Sequence, residues 1–108
     1  MKLNIMDIGG EVVKDNETYL LKDNKTLNNL VISSTDLKPQ QSTRGHKHEG
    51  QEEVYYFVKG SGRMELNEES FMVKAGDVVL IEDGVFHRVH GGPTGIYFVC
   101  VFDGKRNH

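Results

Sequence analysis

Residues 45–60 read Gly-His-Lys-His-Glu-Gly-Gln-Glu-Glu-Val-Tyr-Tyr-Phe-Val-Lys-Gly, and this stretch holds the most informative pattern of the chain. Its first part contains two histidines, His46 and His48, separated by one residue. It then passes through an acidic pair into a run of β-branched and aromatic residues that ends at a glycine, which is typical of a β-strand bounded by turns. The stretch therefore predicts a strand that begins beside a group of potential metal ligands.

The two histidines are spaced to act together on one face of the chain. On a strand, side chains at positions i and i+2 point to the same side, so His46 and His48 would present both imidazoles to one metal ion. Lys47 would point the other way. A His-x-His pair alone is a weak signal, because histidines also occur on surface turns.

An acidic ligand is expected from the pair Glu52 and Glu53. Residues 49–51, Glu-Gly-Gln, predict a bulge or tight bend that resets the alternation of side chains after His48. Glu53 would then share a face with Tyr55, and Glu52 would lie on the opposite face. Because burying an unpaired carboxylate is costly, the inward-facing glutamate is expected to contact a cation. The pattern of residues alone leaves the choice between the two open.

A third histidine, His87, follows two turns that contain glycine and aspartate and bracket the apolar segment 78–81. We predict that His87 opens the next strand, which an antiparallel barrel would return beside the His-x-His pair. His90 would point away from His87 on a regular strand, and His108 is the terminal residue, so both are left out of the predicted site.

Short apolar runs separated by turn residues recur along the chain. They cover residues 30–32, 54–58, 64–66, 71–73, 78–81, 85–89 and 96–102, with turns expected at 60–62 and 91–93. This rhythm predicts an all-β sandwich or barrel without helices. Residues 11–29 are weakly patterned, and short strands are expected there at 12–13, 19–21 and around Leu27.

Length and composition exclude several classes of protein. A chain of 108 residues predicts one domain. A net charge of −3 with interspersed basic and acidic residues argues against a nucleic-acid partner. No apolar stretch approaches the length of a membrane span, and no secretion signal is visible, so a cytoplasmic protein is expected. Cys100 lies in an apolar run and is interpreted as a core residue.

Residues 45–60 resemble the first conserved motif of the cupins, which is His-x-His, a short gap, Glu, then six residues and Gly. The spacing from Glu53 to Gly60 fits this motif and that from Glu52 does not, so the resemblance selects Glu53. Residues 76–87 resemble the second cupin motif, in which Gly76, Gly84 and His87 match.

Two positions depart from the second motif: Glu82 stands where the family has proline, and Gly91 where it has asparagine. Neither position supplies a metal ligand in the family. The resemblance implies a double-stranded β-helix, or jelly-roll barrel, with residues 1–108 as one cupin domain and the motifs within 45–91. It also implies one divalent metal, which would be held by His46, His48, Glu53 and His87.

A finer resemblance concerns the residues around these ligands. Thr43 with the glycine and histidines that follow, and Glu53 with Tyr55, resemble the pattern of the cupin-type phosphoglucose isomerases of archaea. In that group the threonine and the tyrosine lie at the substrate. The resemblance implies that Thr43 and Tyr55 bind substrate and that Tyr55 is catalytic, whereas Tyr56 is interpreted as core packing.

The predicted function follows from this ligand set. Three imidazoles and one carboxylate suit Mn, Fe, Co, Ni or Zn and leave open positions on a six-coordinate ion. We predict a metal-dependent isomerase or epimerase of a small sugar or sugar phosphate. The alternatives are an iron-dependent dioxygenase and a non-enzymatic module that binds a small molecule. A homodimer is expected, with residues 1–29 as candidates for covering exposed strand edges.

Overall fold

The structure is a computed structural model that describes residues 1–104, so His108 lies outside the described residues. Every regular element in this range is a strand, which confirms the all-β prediction. The strands are β1 (Glu11–Asp15), β2 (Tyr19–Asn24), β3 (Leu30–Leu37), β4 (Glu53–Leu66), β5 (Glu69–Lys74), β6 (Val78–Ile81) and β7 (His87–Asp103). Within residues 1–104 there is no helix of the length and apolarity that crossing a membrane requires.

The strands pair antiparallel in the order β1-β2-β3-β7-β4-β5, and β6 pairs with the beginning of β4. β4 and β7 run beside each other along nearly their whole length, from Glu53 opposite Phe102 to Leu66 opposite His87. The connection between β3 and β4, residues 38–52, lies outside the named strands and touches the first part of β7 through two isolated bridges. We call residues 38–52 the ligand loop.

Side chains alternate strictly at the start of β4. Glu53, Tyr55 and Phe57 are buried, whereas Val54 and Tyr56 are 40% and 38% exposed. The inward face of β4 therefore carries the acid and the aromatic residues, as period-two alternation requires. The interpretation of Tyr56 as core packing is wrong, because β4 has solvent on its outer face.

Aromatic side chains from β4 and β7 fill the interior next to this face. The ring of Tyr55 stacks on Phe98 with centroids 5.1 Å apart, and Phe57 lies 5.4 Å from the same ring. Cys100 is buried in this cluster, which confirms its prediction as a core residue. Close packing of these aromatic side chains restricts the movement of the inward-facing groups at the start of β4.

The two glycine-rich segments that predicted turns lie instead inside long strands. Residues 60–62 belong to β4 and residues 91–93 to β7, and the register between these strands shifts at Phe57/Lys59 and at Gly60/Gly62. A Cβ atom at Gly60 would lie 2.2 Å from the carbonyl oxygen of Gly95. The glycines therefore allow two bulged strands to approach closely, and the chain does not reverse there.

The N-terminal part of the chain is more regular than its sequence pattern indicates. Residues 12–13 and 19–21 lie in β1 and β2, as expected. Leu27 lies in a bend, so the prediction of a strand around it is wrong. Before β1, Ile8 is 1% exposed, and the Tyr97 hydroxyl donates a hydrogen bond to the carbonyl oxygen of Ile5 at 2.7 Å. The first residues thus pack against β7 of their own chain.

Candidate metal centre

The ligand loop is held to the start of β7 by paired backbone hydrogen bonds. His46 N donates to the His87 carbonyl at 3.1 Å, and His87 N donates to the His46 carbonyl at 2.9 Å. Farther along, Gly84 N donates to the His48 carbonyl at 2.8 Å. The two histidines of the His-x-His pair therefore lie in a loop with one bridge, and the strand predicted for them is wrong. Their alternation nevertheless brings both rings to the same side.

The bend predicted between His48 and Glu53 is present. Glu49 and Gly50 form a turn in which Gly50 has a φ of 78°, and Gly50 N donates to Asp83 Oδ1 at 2.7 Å. This left-handed conformation costs little at glycine. After the turn, Glu53 faces inward and is 4% exposed, while Glu52 is exposed, as predicted from the choice of Glu53.

Four potential ligands converge inside the fold: His46, His48, Glu53 and His87. One ligand atom from each lies within 4.8 Å of all the others. The ring centroid of His46 is 4.5 Å from those of both other histidines. Glu53 Oε1 lies 2.9 Å from His48 Nε2 and 3.5 Å from His87 Nε2. This cluster fits a single metal site.

The hydrogen bonds of His87 show which of its nitrogens faces the cluster. Its Nδ1 lies 3.1 Å from the carbonyl oxygen of Val85, a contact in which Nδ1 must donate. The lone pair is then on Nε2, as in metal-binding histidines whose other nitrogen is fixed by a backbone carbonyl. Within residues 1–104, His87 Nε2 and Glu53 Oε1 are buried and make no hydrogen bond of ordinary geometry, although they lie close together.

Buried polar atoms of this kind are costly unless a partner compensates them. A divalent transition metal accepts lone pairs from imidazole nitrogen and from carboxylate oxygen at the same time. The donor set and its burial therefore fit one such ion, and they leave its identity among Mn, Fe, Co, Ni and Zn open.

The cluster opens on a cavity of about 300 Å³. His46 and Glu53 line this cavity, and so do Thr43 and Tyr55. The ring of Tyr55 is 5.6 Å from that of His87. The structure therefore brings both predicted substrate-binding residues beside the predicted ligands.

Thr43 also has a structural contact that the sequence did not reveal. Its Oγ1 accepts a hydrogen bond from Val89 N at 3.0 Å, and Thr43 N donates to the Val89 carbonyl at 2.9 Å. These contacts attach the ligand loop to β7, three residues before His46. The second contact of Oγ1, to the Val89 carbonyl, is long at 3.5 Å, so the hydroxyl proton can turn toward a ligand in the cavity.

The cavity is also lined by residues for which no role in the site was predicted. β1 and β2 contribute Val13, Lys14, Tyr19 and Leu21, and the ligand loop contributes Arg44. Residues 11–29 carry no motif, so their place at the site had no local signal in the sequence. The proximity arises only from strand pairing in the folded chain.

His90 attaches the ligand loop to β4 through hydrogen bonds with Ser42 and Glu65. His90 Nδ1 lies 2.6 Å from Ser42 Oγ, and His90 Nε2 lies 2.5 Å from Glu65 Oε2. As predicted, His90 is not part of the metal-ligand cluster. Instead it connects the ligand loop to β4 across β7. The hydrogen bond from His90 holds the pKa of the Glu65 carboxyl below its usual value of 4.5.

Glu65→Gln tests this anchor through the pH dependence of stability. A carboxyl whose pKa is lower in the folded than in the unfolded state stabilises the fold above its unfolded pKa. That contribution disappears as the pH falls through the lower folded value. Urea unfolding of the metal-free protein should therefore show wild type more stable than Glu65→Gln at neutral pH, with the difference vanishing as the pH falls below 4.5 and through the lower folded pKa.

Glu68→Gln is the matched control, because Glu68 is exposed on the same hairpin and makes no ion pair or hydrogen bond with any described residue. Glu68→Gln should leave the free energy of unfolding nearly unchanged at neutral and at acid pH. A stability difference for Glu65→Gln that is the same in acid as at neutral pH would show that the carboxylate's charge plays no part in the anchor.

Comparison with known proteins identifies the class to which this fold and site belong. Residues 33–102 match the Cupin domain family, and the chain therefore belongs to the cupin family. Its fold is the double-stranded β-helix of that family. The structure of KdgF from Halomonas sp. has a TM-score of 0.79 at 16% identity and covers 90% of both chains.

Three further proteins are more similar in sequence than KdgF. The chain is 38% identical over 72 residues to the oxalate-binding protein of Thermotoga maritima. This alignment covers 66% of this chain and 60% of that protein. It is 43% identical over 56 residues to an uncharacterized protein of Methanocaldococcus jannaschii, covering 51% and 45%. Both alignments span less than two thirds of the relative. The structure of a predicted oxalate decarboxylase from Thermotoga maritima has a TM-score of 0.75 at 26% identity, covering 95% and 98%.

Proposed function

We propose that this cupin holds one divalent transition metal through His46, His48, Glu53 and His87 and uses it to bind a small chelating molecule. The observation that carries the proposal is that two of these residues, His46 and Glu53, also form the wall of the 300 Å³ cavity. A molecule in the cavity therefore has direct access to the cluster. When bound, the metal supplies Lewis-acid polarisation of substrate oxygen atoms.

The reaction that we propose is isomerisation or epimerisation of a small sugar or sugar phosphate. Such a reaction removes a proton from one carbon and returns a proton to the same carbon or its neighbour, so it needs a group that exchanges protons. Tyr55 supports this assignment, because it follows Glu53 by two residues on the inward face of β4 and its side chain lines the cavity. Thr43 provides a second hydroxyl for a sugar oxygen or a phosphate.

Tyr55→Phe tests the reaction because it removes one oxygen atom and little volume. We expect the variant to keep its fold and its metal but to lose about a hundredfold in turnover on a panel of sugar phosphates, the usual scale for a proton-transfer group. Tyr56→Phe is the matched control, since Tyr56 is the next residue and lies on the outer face. Unchanged turnover in Tyr55→Phe would remove Tyr55 from the mechanism.

A second candidate is the binding of a small dicarboxylate such as oxalate without turnover. It is favoured by the similarity to the oxalate-binding protein and to the predicted oxalate decarboxylase of Thermotoga maritima. Calorimetric titration of the metal-loaded protein with oxalate, followed by analysis of the solution for products, separates the two candidates. Tight binding of oxalate without product, together with no conversion of any sugar phosphate, would replace the isomerase proposal.

We also propose that the protein is a homodimer that pairs through β6. Among the described residues β6 pairs only with β4, so its other edge is open. Val54 lies opposite Leu80 and Tyr56 opposite Val78, and all four side chains are at least 38% exposed. A second copy related by a two-fold axis covers the same open edge and apolar face on both chains at once.

Light scattering at high concentration should therefore give the mass of two chains. Leu80→Lys, at a side chain that is 70% exposed, should shift the protein toward the monomer by placing a charge in the contact. Met72→Lys is the control, because Met72 is 71% exposed but lies on β5. A monomeric wild-type protein would contradict the proposal.

A further inference from the structure

Two basic side chains, Lys14 and Arg44, line the cavity from different elements. Lys14 belongs to β1, and Arg44 belongs to the ligand loop two residues before His46. Both residues are exposed, so they lie where the cavity meets solvent. A molecule in the cavity can therefore lie beside the metal-ligand cluster and beside these two cations at once.

The charges of the cavity are strongly unbalanced. Glu53 is the only acidic residue among those that line it, and its carboxylate belongs to the metal-ligand cluster. The side chains of Lys14 and Arg44 make no ion pair or hydrogen bond with any residue in the described range. By contrast, Lys22 and Lys25 on and after β2 pair with nearby carboxylates. With a divalent cation at the cluster, the unpaired positive charges would repel one another unless an anion lies among them.

The backbone of β1 is adapted to place Lys14 in the cavity. Val12 pairs with Lys22 and Lys14 with Leu21, so the register shifts by one residue at Val13. Val13 and Lys14 both line the cavity, whereas successive residues of a regular strand point to opposite faces. The bulge therefore turns the lysine toward the site, a use of bulges that is frequent beside functional sites.

We propose that Lys14 and Arg44 bind a second anionic group of the ligand, separate from the oxygens that chelate the metal. The ligand is then a small molecule with a chelating oxygen pair at one end and a carboxylate or phosphate at the other. This inference rests on the proposed function for the chelating end. To that function it adds the chemical class of the ligand, and it assigns Lys14 and Arg44 as residues that determine specificity.

The test uses wild-type protein loaded with Co²⁺ and three α-hydroxy acids that share one chelating end. Lactate has no distal anion, malate has a distal carboxylate, and 3-phosphoglycerate has a distal phosphate. We expect at least one of the two probes with a distal anion to bind about tenfold more tightly than lactate, since charge-assisted hydrogen bonds are the strong ones. The tighter of the two identifies the preferred anion. Added salt should weaken this preference, because the cations are exposed.

Lys14→Gln and Arg44→Gln should each remove most of that preference and leave metal content and lactate affinity unchanged. Lys47→Gln is the matched control, because Lys47 is exposed in the same ligand loop and does not line the cavity. Equal affinity of wild type for all three acids, or a preference that survives both substitutions, would overturn the role of the two cations and leave chelation at the metal standing. Failure of the loaded protein to bind any of the three acids would overturn both proposals.

Discussion

His48→Ala is expected to weaken the binding of a divalent metal by more than about a hundredfold, beyond the losses typical of residues that only support a ligand. His48 is 4% exposed and contributes one of the four converging ligand atoms, and its Nε2 lies 2.9 Å from Glu53 Oε1. Alanine removes that nitrogen and so leaves three of the four ligand atoms. Metal competition with a chromophoric chelator measures the affinity of variant and wild type side by side.

Glu52→Ala is the matched control for this experiment. Glu52 neighbours Glu53 in sequence but is exposed on the outer face of the chain. Glu52→Ala should therefore bind metal as tightly as wild type does. Glu53→Ala should lose metal affinity to about the same extent as His48→Ala. Equal losses of affinity in Glu52→Ala and His48→Ala would show that the assignment of Glu53 as the carboxylate ligand is wrong.

Gly60→Ala is expected to destabilise the metal-free protein by about 3 kcal/mol or more. Gly60 has a φ of 84°, and an added Cβ atom would lie 2.2 Å from the carbonyl oxygen of Gly95. Backbone atoms meet there, so no side-chain rotation relieves the contact. Either β4 and β7 separate at their bulges or the variant fails to fold. Urea unfolding measures the loss directly.

Gly50→Ala separates the two causes of this loss. Gly50 has a similar φ of 78°, but a Cβ atom there would meet nothing within 4 Å. Only backbone strain remains, which costs about 1–2 kcal/mol for an L-residue in this region. If the two variants lose the same stability, the close approach of β4 to β7 contributes nothing, and the interpretation of residues 60–62 as a bulge in close contact fails.

The regular parts of the fold could be predicted because their signal is local. Alternation along residues 53–57 correctly assigned Glu53 and Tyr55 to one face, and turn residues correctly separated β5 from β6. The segment at residues 60–62 was misinterpreted because glycine marks a reversal of the chain and a bulge equally well. A bulge differs from a chain reversal in which residue faces the glycine. Gly60 faces Gly95, which is distant from it in sequence.

The candidate site divides in the same way. Its four predicted ligands lie in two short motifs, and the structure brings them together in a cluster that fits one metal. Their role in binding the metal stays a prediction. Lys14 reaches the cavity through pairing of β1 with β2 and through the bulge at Val13, neither of which leaves a pattern in residues 11–29. Arg44 lies directly before the first motif. That its side chain lines the cavity without an ion-pair partner is evident only in the folded chain.

The most direct test of the account is anomalous X-ray diffraction from crystals of the protein that has been purified without added metal. Data collected on both sides of each absorption edge locate the metal and identify it. We predict about one anomalous peak per chain, at roughly 2.0–2.2 Å from a nitrogen of His46, His48 and His87 and from an oxygen of Glu53. A metal bound elsewhere, or no peak at this cluster even after soaking with Co²⁺ or Zn²⁺, would contradict the metal centre.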